Sequence, residues 1–228
     1  MKISGFQKLT LLDFPEKVAC IIFTQGCNFN CHYCQNAGLI GHESDNLIDE
    51  QEIFDYLEKR KNVIDGIVIS GGEPTVQKDL IRFIKRVKSI GVLVKLDTNG
   101  TNPKLLKELI DNNLVDYIAM DIKNIFEFYK KIAFKNVNVD AIKESIALIS
   151  SSGIDHEFRT TIIKEIHDID TILQICGYVD KNQKFFLQNF QQSEFVKDKT
   201  LESFTKEELI NIQKKVREVF PNVVVRGL

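Results

Sequence analysis

Strand-like apolar runs alternate with amphipathic helical stretches along almost the whole chain, and this alternation restricts the fold more than any other feature. The strand-like runs are 17–24 (KVACIIFT), 66–70 (GIVIS), 92–97 (VLVKLD), 115–120 (VDYIAM), 156–163 (HEFRTTII) and 184–188 (KFFLQ), followed by a seventh, 223–226 (VVVR). Several are nearly continuous apolar segments, as expected when both faces of a parallel sheet are covered. Helical stripes fill the gaps. Asp49 and Glu52 have capping-box spacing ahead of Ile53 and Leu57. Leu80, Ile84 and Val87 mark the next stripe, and Asn102 precedes Pro103 at the start of another that turns Leu105, Leu106, Leu109 and Ile110 inward. Residues 140–151 carry Ile142, Ile146 and Ile149, and Thr205 with Glu208 opens a last stripe through Leu209, Ile212, Val216 and Val219.

Alternating β and α elements joined by right-handed crossovers build a parallel sheet. Six βα units are too few to close an eight-stranded barrel. The expected fold is therefore α/β, a partial (β/α)6 TIM-like barrel with an extra C-terminal strand. It reads as one domain over residues 1–228: an N-terminal extension 1–16, a core 17–190, and a C-terminal helix and strand in 200–228. In such folds the chemistry belongs at the C-terminal ends of the strands.

Composition narrows the class. A chain of 228 residues can bury one large core. Its net charge of −2 argues against electrostatic binding to nucleic acid or an anionic membrane. Basic clusters such as Lys59-Arg60-Lys61 read as solvated helix faces. No run approaches the ~18 apolar residues of a membrane span. The opening MKISGFQKLTLLDFPEK lacks the apolar stretch and small-residue cleavage site of a signal peptide, so the expected location is the cytoplasm. Five cysteines in a reducing compartment do not suggest a disulfide framework, and three of them crowd into eight residues, which points to a metal centre.

Those three are Cys27, Cys31 and Cys34, spaced C-x₃-C-x₂-C in the segment TQGCNFNCHYCQN after the first strand. Thiolates are the usual ligands of iron–sulfur clusters. A loop this short can hold three corners of a cube and leave one iron free for a substrate or cofactor. The competing reading is a structural zinc site, which usually takes four ligands in paired C-x₂-C spacing. No second pair exists here, and His32 is poorly placed between two cysteines. Cys20, in a strand, and Cys176, in a helix, read as small core residues.

The later strand ends are polar. The second ends in Ser70-Gly71-Gly72-Glu73-Pro74, where two glycines allow close backbone approach and a carboxylate can accept from an ammonium group. The third ends in Asp97-Thr98-Asn99-Gly100 and the fourth in Met120-Asp121-Ile122-Lys123; alone, each could be a turn or helix cap. Arg159 on the fifth strand could serve a ligand or pair with Glu157, and Gln188 is the candidate at the sixth.

The pattern C-x₃-C-x-aromatic-C resembles the signature of the radical S-adenosylmethionine (SAM) superfamily. The resemblance implies one [4Fe–4S] cluster on Cys27, Cys31 and Cys34, with SAM chelated by the open iron. Tyr33 would pack near the adenine, simple core packing being the alternative. Gly71, Gly72, Glu73 and Pro74 resemble the motif that binds the methionyl amine. Asp97, Thr98 and Asn99, with Asp121 and Lys123, resemble the DTNG and D-x-K motifs of activating enzymes for glycyl radical proteins. There the lysine contacts the SAM carboxylate, and some relatives hold a monovalent cation near the equivalents of Asp97, Thr98 and Asp121, oxygen donors that suit such an ion. Some also place a SAM-contacting histidine where this chain has Gln188 and Asn189.

The opening GFQKLTLLDFP, together with VISGGEPTVQKDL, KLDTNGTNP, VDYIAMDIK and the late VVRG, resembles the longer anaerobic ribonucleoside-triphosphate reductase activating proteins. Glu16 stands where those proteins lead one to expect glycine, a departure that could alter the loop near the cluster. No cysteines lie between Cys34 and Gly71, as an inserted ferredoxin-like domain would require. The resemblance implies that the cluster cleaves SAM reductively to a 5′-deoxyadenosyl radical, which takes a hydrogen atom from a glycine of an anaerobic ribonucleotide reductase or related protein. Flavodoxin or ferredoxin would supply the electron. Two alternatives stand beside it. One is a radical SAM enzyme acting on a small molecule, as 7-carboxy-7-deazaguanine synthase does, or on another macromolecule; the other is a non-catalytic zinc or iron–sulfur module.

Overall fold

A computed structural model describes residues 1–39 and 46–227. Eight strands form one sheet in simple chain order: β1 Ile3–Thr10, β2 Ala19–Thr24, β3 Gly66–Gly71, β4 Leu93–Thr98, β5 Tyr117–Asp121, β6 Asp155–Ile162, β7 Phe185–Asn189 and β8 Val223–Arg226. β1 runs antiparallel to β2, and every later neighbour pair is parallel. The result is an open, partial barrel. Helices α1 Glu50–Arg60, α2 Leu80–Ile90, α3 Pro103–Asp111, α4 Tyr129–Ala133, α5 Val139–Ser151, α6 Ile169–Cys176 and α7 Lys206–Arg217 lie in the connections.

The strands that the alternation predicts all form, each within two residues of its expected limits. Within the N-terminal extension, residues 3–10 form an eighth strand that the sequence pattern did not reveal. Only Ile3 and Thr10 of that strand are buried, so its sequence carries little apolar alternation. Capping follows the residues chosen for it. Asn102 accepts from the Leu105 N–H, and Thr205 and Glu208 complete a capping box. Asp49 caps α1 through the Gln51 N–H instead. Val219 is a correction: α7 stops at Arg217, ahead of Pro221, and leaves Val219 47% exposed.

Alternation along each strand separates two environments. Cys20, Ile22, Ile67, Ile69, Val94, Leu96 and Ile118 join the main core with the helices. The opposite face points into the barrel. Near the N-terminal strand ends it is apolar: Phe14, Ala19, Ile21, Val68 and Tyr117 form a second cluster. Near the C-terminal ends the same columns continue as Ser70, Asp97, Asp121, Arg159, Thr161 and Gln188, and these line a cavity.

Candidate active site

The cysteine loop leaves the end of β2 and is held from three sides. The Asn30 N–H donates to the Ala133 carbonyl at 2.8 Å, behind α4. The Lys197 and Asp198 N–H groups donate to the His32 carbonyl at 3.1 and 3.2 Å. The Asn28 side chain donates to Thr101 Oγ1 at 2.7 Å and accepts from Asn99 Nδ2 at 2.8 Å, which ties the loop to the end of β4. Cys31 is buried, and Cys27 and Cys34 are half-buried. Burial pushes the Cys27 thiol up to about 12. It also raises Cys31 and Cys34, opposed there chiefly by Lys123. Metal ligation requires thiolates, so loading the site must release protons. The His32 ring stacks on Phe134 at 3.6 Å instead of joining the thiols. Among the described residues, no three His, Cys, Asp or Glu side chains are grouped to hold one metal ion. A cube that takes one thiolate per corner makes no such demand.

The loop after β3 lies directly on the cysteine loop. A Cβ on Gly72 would sit 2.1 Å from the Gly26 carbonyl oxygen, and Gly71 has φ +111°. The glycines thus permit loop-on-loop contact, and both also line the cavity. The Glu73 N–H donates to the Gly26 carbonyl at 2.9 Å. The buried Glu73 carboxylate accepts from Thr75 N (3.1 Å), Thr75 Oγ1 (2.5 Å), Thr98 Oγ1 (2.8 Å) and Asn99 N (2.6 Å). Burial still raises its carboxyl above the ordinary value against these four donors. The side chain braces the β3 and β4 loops together, with three donors on Oε1 and one on Oε2, and lines the cavity.

A charged network crosses the barrel mouth. Arg159 Nε donates to Asp121 Oδ1 at 2.7 Å, and its NH2 lies 3.4 Å from Asp97 Oδ2. Glu157, the partner considered from sequence, is more distant at 3.8 Å and pairs with Arg226 and Tyr117. Lys95 Nζ donates to Asp97 Oδ1 at 2.6 Å, and Lys123 Nζ to Asp121 Oδ2 at 3.0 Å. Burial favours protonated carboxyls here, but Arg159 and Lys95 hold Asp97 below the usual carboxylate range. Arg159 and Lys123 hold Asp121 well below it. Three cations face two carboxylates in this network, and the Glu73 carboxylate in the same cavity balances the third, so Lys123 and Arg159 bring cationic donors to the mouth without a net positive charge.

All the sequence-predicted residues line one cavity of about 190 Å³: Cys27, Cys31, Cys34, Tyr33, Gly71, Gly72, Glu73, Pro74, Asp97, Thr98, Asn99, Asp121, Lys123, Arg159 and Gln188. Phe29, Gln35, Asn36, Ser70 and Thr161 line it as well and were not anticipated. Ser70 and Thr161 could have been found from period-two spacing, since each falls on the inward face of its strand. Cys20 and Cys176 are fully buried in the main core. Glu16 corrects one expectation: it lies in the β1–β2 turn, at the barrel end opposite the cluster loop. Its φ of +59° is the left-handed conformation that glycine adopts without strain. The residues fit a cluster and SAM on two further counts. Tyr33 Oη is buried without a hydrogen-bond partner, and Lys123 and Arg159 line the cavity as cationic donors that suit a carboxylate.

The profile of the Radical SAM superfamily matches residues 21–175. A protein of Methanocaldococcus jannaschii named as a glycyl-radical enzyme activating enzyme is 34% identical over 99% of this chain and 96% of its own length. The pyruvate formate-lyase-activating enzyme of Clostridium pasteurianum is 24% identical over 96% of this chain and 90% of its own. Among solved structures, Streptococcus suis SuiB bound to S-adenosylmethionine shares the fold at TM-score 0.68 and 15% identity, over 91% of this chain. This chain spans about half of SuiB, 52%. Together with three thiols, a GGEP loop and a charged barrel mouth around one cavity, these likenesses establish that the chain belongs to the radical SAM superfamily, in its family of glycyl-radical enzyme activating enzymes.

Proposed function

We propose that this chain installs a glycyl radical on a partner protein, with an anaerobic ribonucleotide reductase as the favoured partner. The observation that carries this reading is the convergence of the three thiols with the GGEP, DTNG and D-x-K groups on one cavity. The GFQKLTLLDFP opening supports the choice of partner. The chain acts as one catalytic unit in the cytoplasm, reduced by flavodoxin or ferredoxin. Among the described residues, no helix is long and apolar enough to cross a membrane.

When bound, the cluster and SAM supply one-electron sulfonium cleavage and hydrogen-atom abstraction. The protein's own groups bind and orient. Cys27, Cys31 and Cys34 hold three corners of the cluster. The other two cysteines are sealed in the core, so no fourth thiol competes for the open iron. Lys123 and Arg159, fixed by Asp121 and Asp97, present cationic donors to the methionyl carboxylate. Glu73 keeps two ligand-facing loops in register. Tyr33 would flank the adenine and offer its unpaired hydroxyl, and Gln188 would line the same pocket.

The test is anoxic incubation of the reconstituted protein with dithionite, SAM and purified glycyl radical proteins. The expected result is the EPR doublet of a glycyl radical on the ribonucleotide reductase. SAM cleavage without a doublet on any such protein would move the substrate to a small molecule or another macromolecule.

A further inference from the structure

Relatives that hold a monovalent cation at this barrel mouth would do so with oxygens equivalent to those of Asp97, Thr98 and Asp121. In this chain each of those oxygens already has a protein donor. Asp97 Oδ1 takes Lys95 Nζ at 2.6 Å, and Asp97 Oδ2 takes Ser70 Oγ at 2.9 Å with Arg159 NH2 at 3.4 Å. Asp121 Oδ1 takes Arg159 Nε at 2.7 Å, and Asp121 Oδ2 takes Lys123 Nζ at 3.0 Å. Thr98 Oγ1 donates to Glu73 and accepts from the Gly100 N–H at 3.1 Å. An alkali ion ligated by these oxygens would have to displace those donors and sit beside three like charges in a weakly screened site.

Lys95 is the decisive group. It lies two residues before Asp97 on the same inward face of β4, in an otherwise apolar run, and is 2% exposed. A buried ammonium persists only when paired, and Asp97 is its partner. It neutralises the carboxylate from inside the barrel and leaves the mouth side to Arg159 and the ligand.

We propose that the Lys95 ammonium, seated on Asp97 and backed by Arg159, stands in for the monovalent cation, so that SAM binding by this chain needs no alkali ion. The inference rests on the SAM-binding reading above, and its test separates the two. The reconstituted protein is exchanged into choline chloride, and sodium is titrated in with sodium-23 NMR line width as the readout. SAM affinity is then measured in choline, sodium and potassium at about 100 mM ionic strength, where the Debye length is about 10 Å. The wild type gives no protein-dependent broadening, and its SAM affinity changes less than about twofold among the three salts, under 0.5 kcal/mol. Lys95→Met, which keeps length and removes charge, gains sodium broadening. In choline it loses about tenfold in SAM affinity, which sodium or potassium restores. Saturable broadening with the wild type, or a Lys95→Met protein that folds and gains no cation response, overturns the proposal. Should Lys95→Met not fold by circular dichroism, Lys95→Gln carries the same comparison. The line-width readout without SAM stands even if SAM binding itself fails.

Discussion

The two halves of the barrel interior are built from the same strands and the same inward-facing column, yet they have opposite chemistry. At the N-terminal ends, Phe14 and Tyr117 pack with ring centroids 6.0 Å apart, and the Phe14 ring fills the space beside Gly66 so tightly that a Cβ there would meet it at 2.6 Å. Two residues further along β3 the column changes from Val68 to Ser70. On β4 it runs from Leu93 to Lys95 and Asp97, and on β5 from Tyr117 to Asp121. The change coincides with the layer where Tyr117 Oη donates to Glu157 at 3.1 Å and Arg226 pairs with Glu157 at 3.0 Å. Strand direction sets which end can carry chemistry. The residues at alternate positions set what that chemistry is, and the apolar plug supplies a rigid floor beneath a charged, ligand-ready mouth.

The sharpest way to break this division uses the cysteines. Cys31→Ala at the mouth should abolish loading of about four irons and with it SAM cleavage to 5′-deoxyadenosine, whereas Cys20→Ala in the main core should keep both. Iron analysis and chromatography of the nucleoside product read the difference; retained cleavage by Cys31→Ala would place the cluster elsewhere. Next in size is the floor. Phe14→Ala should cost about 3–5 kcal/mol, a drop in Tm of roughly 10 °C, with SAM turnover per folded molecule unchanged at low temperature. A selective loss of turnover would show that the halves are coupled.

Glu73→Gln tests whether the brace depends on a pure acceptor. The amide nitrogen must face one of the four donors, so stability should fall by about 1–3 kcal/mol and SAM affinity should weaken as the β3 and β4 loops separate. Calorimetric binding with an unchanged melting curve would instead assign the carboxylate directly to the ligand. The smallest effect lies at the bottom turn. Glu16→Gly should relieve a left-handed backbone and stabilise by up to about 1 kcal/mol in urea, leaving SAM cleavage untouched.

The charged mouth was more legible in the sequence than the floor. Cys27 to Cys34, Gly71 to Pro74, Asp97 to Asn99, and Asp121 with Lys123 each follow directly on a strand, where βα topology gathers them. Arg159 was legible as a residue but not in its pairing, because its choice of Asp121 over Glu157 depends on the β5–β6 register. Lys95 went unnoticed inside an apolar run, although its spacing to Asp97 already put both on one face. β1 was hidden because an edge strand with two buried residues has almost no alternation to detect. The hydrogen-bonded shell of Glu73 could not be read at all, since Thr75, Thr98 and Asn99 converge on it only in three dimensions.

The most direct measurement is the EPR spectrum of the anoxically reconstituted, dithionite-reduced protein before and after adding SAM. A [4Fe–4S]⁺ signal that changes shape on SAM addition, with 5′-deoxyadenosine forming in the same tube, is the predicted result. A protein carrying one zinc, or a cluster whose spectrum ignores SAM, would contradict the account.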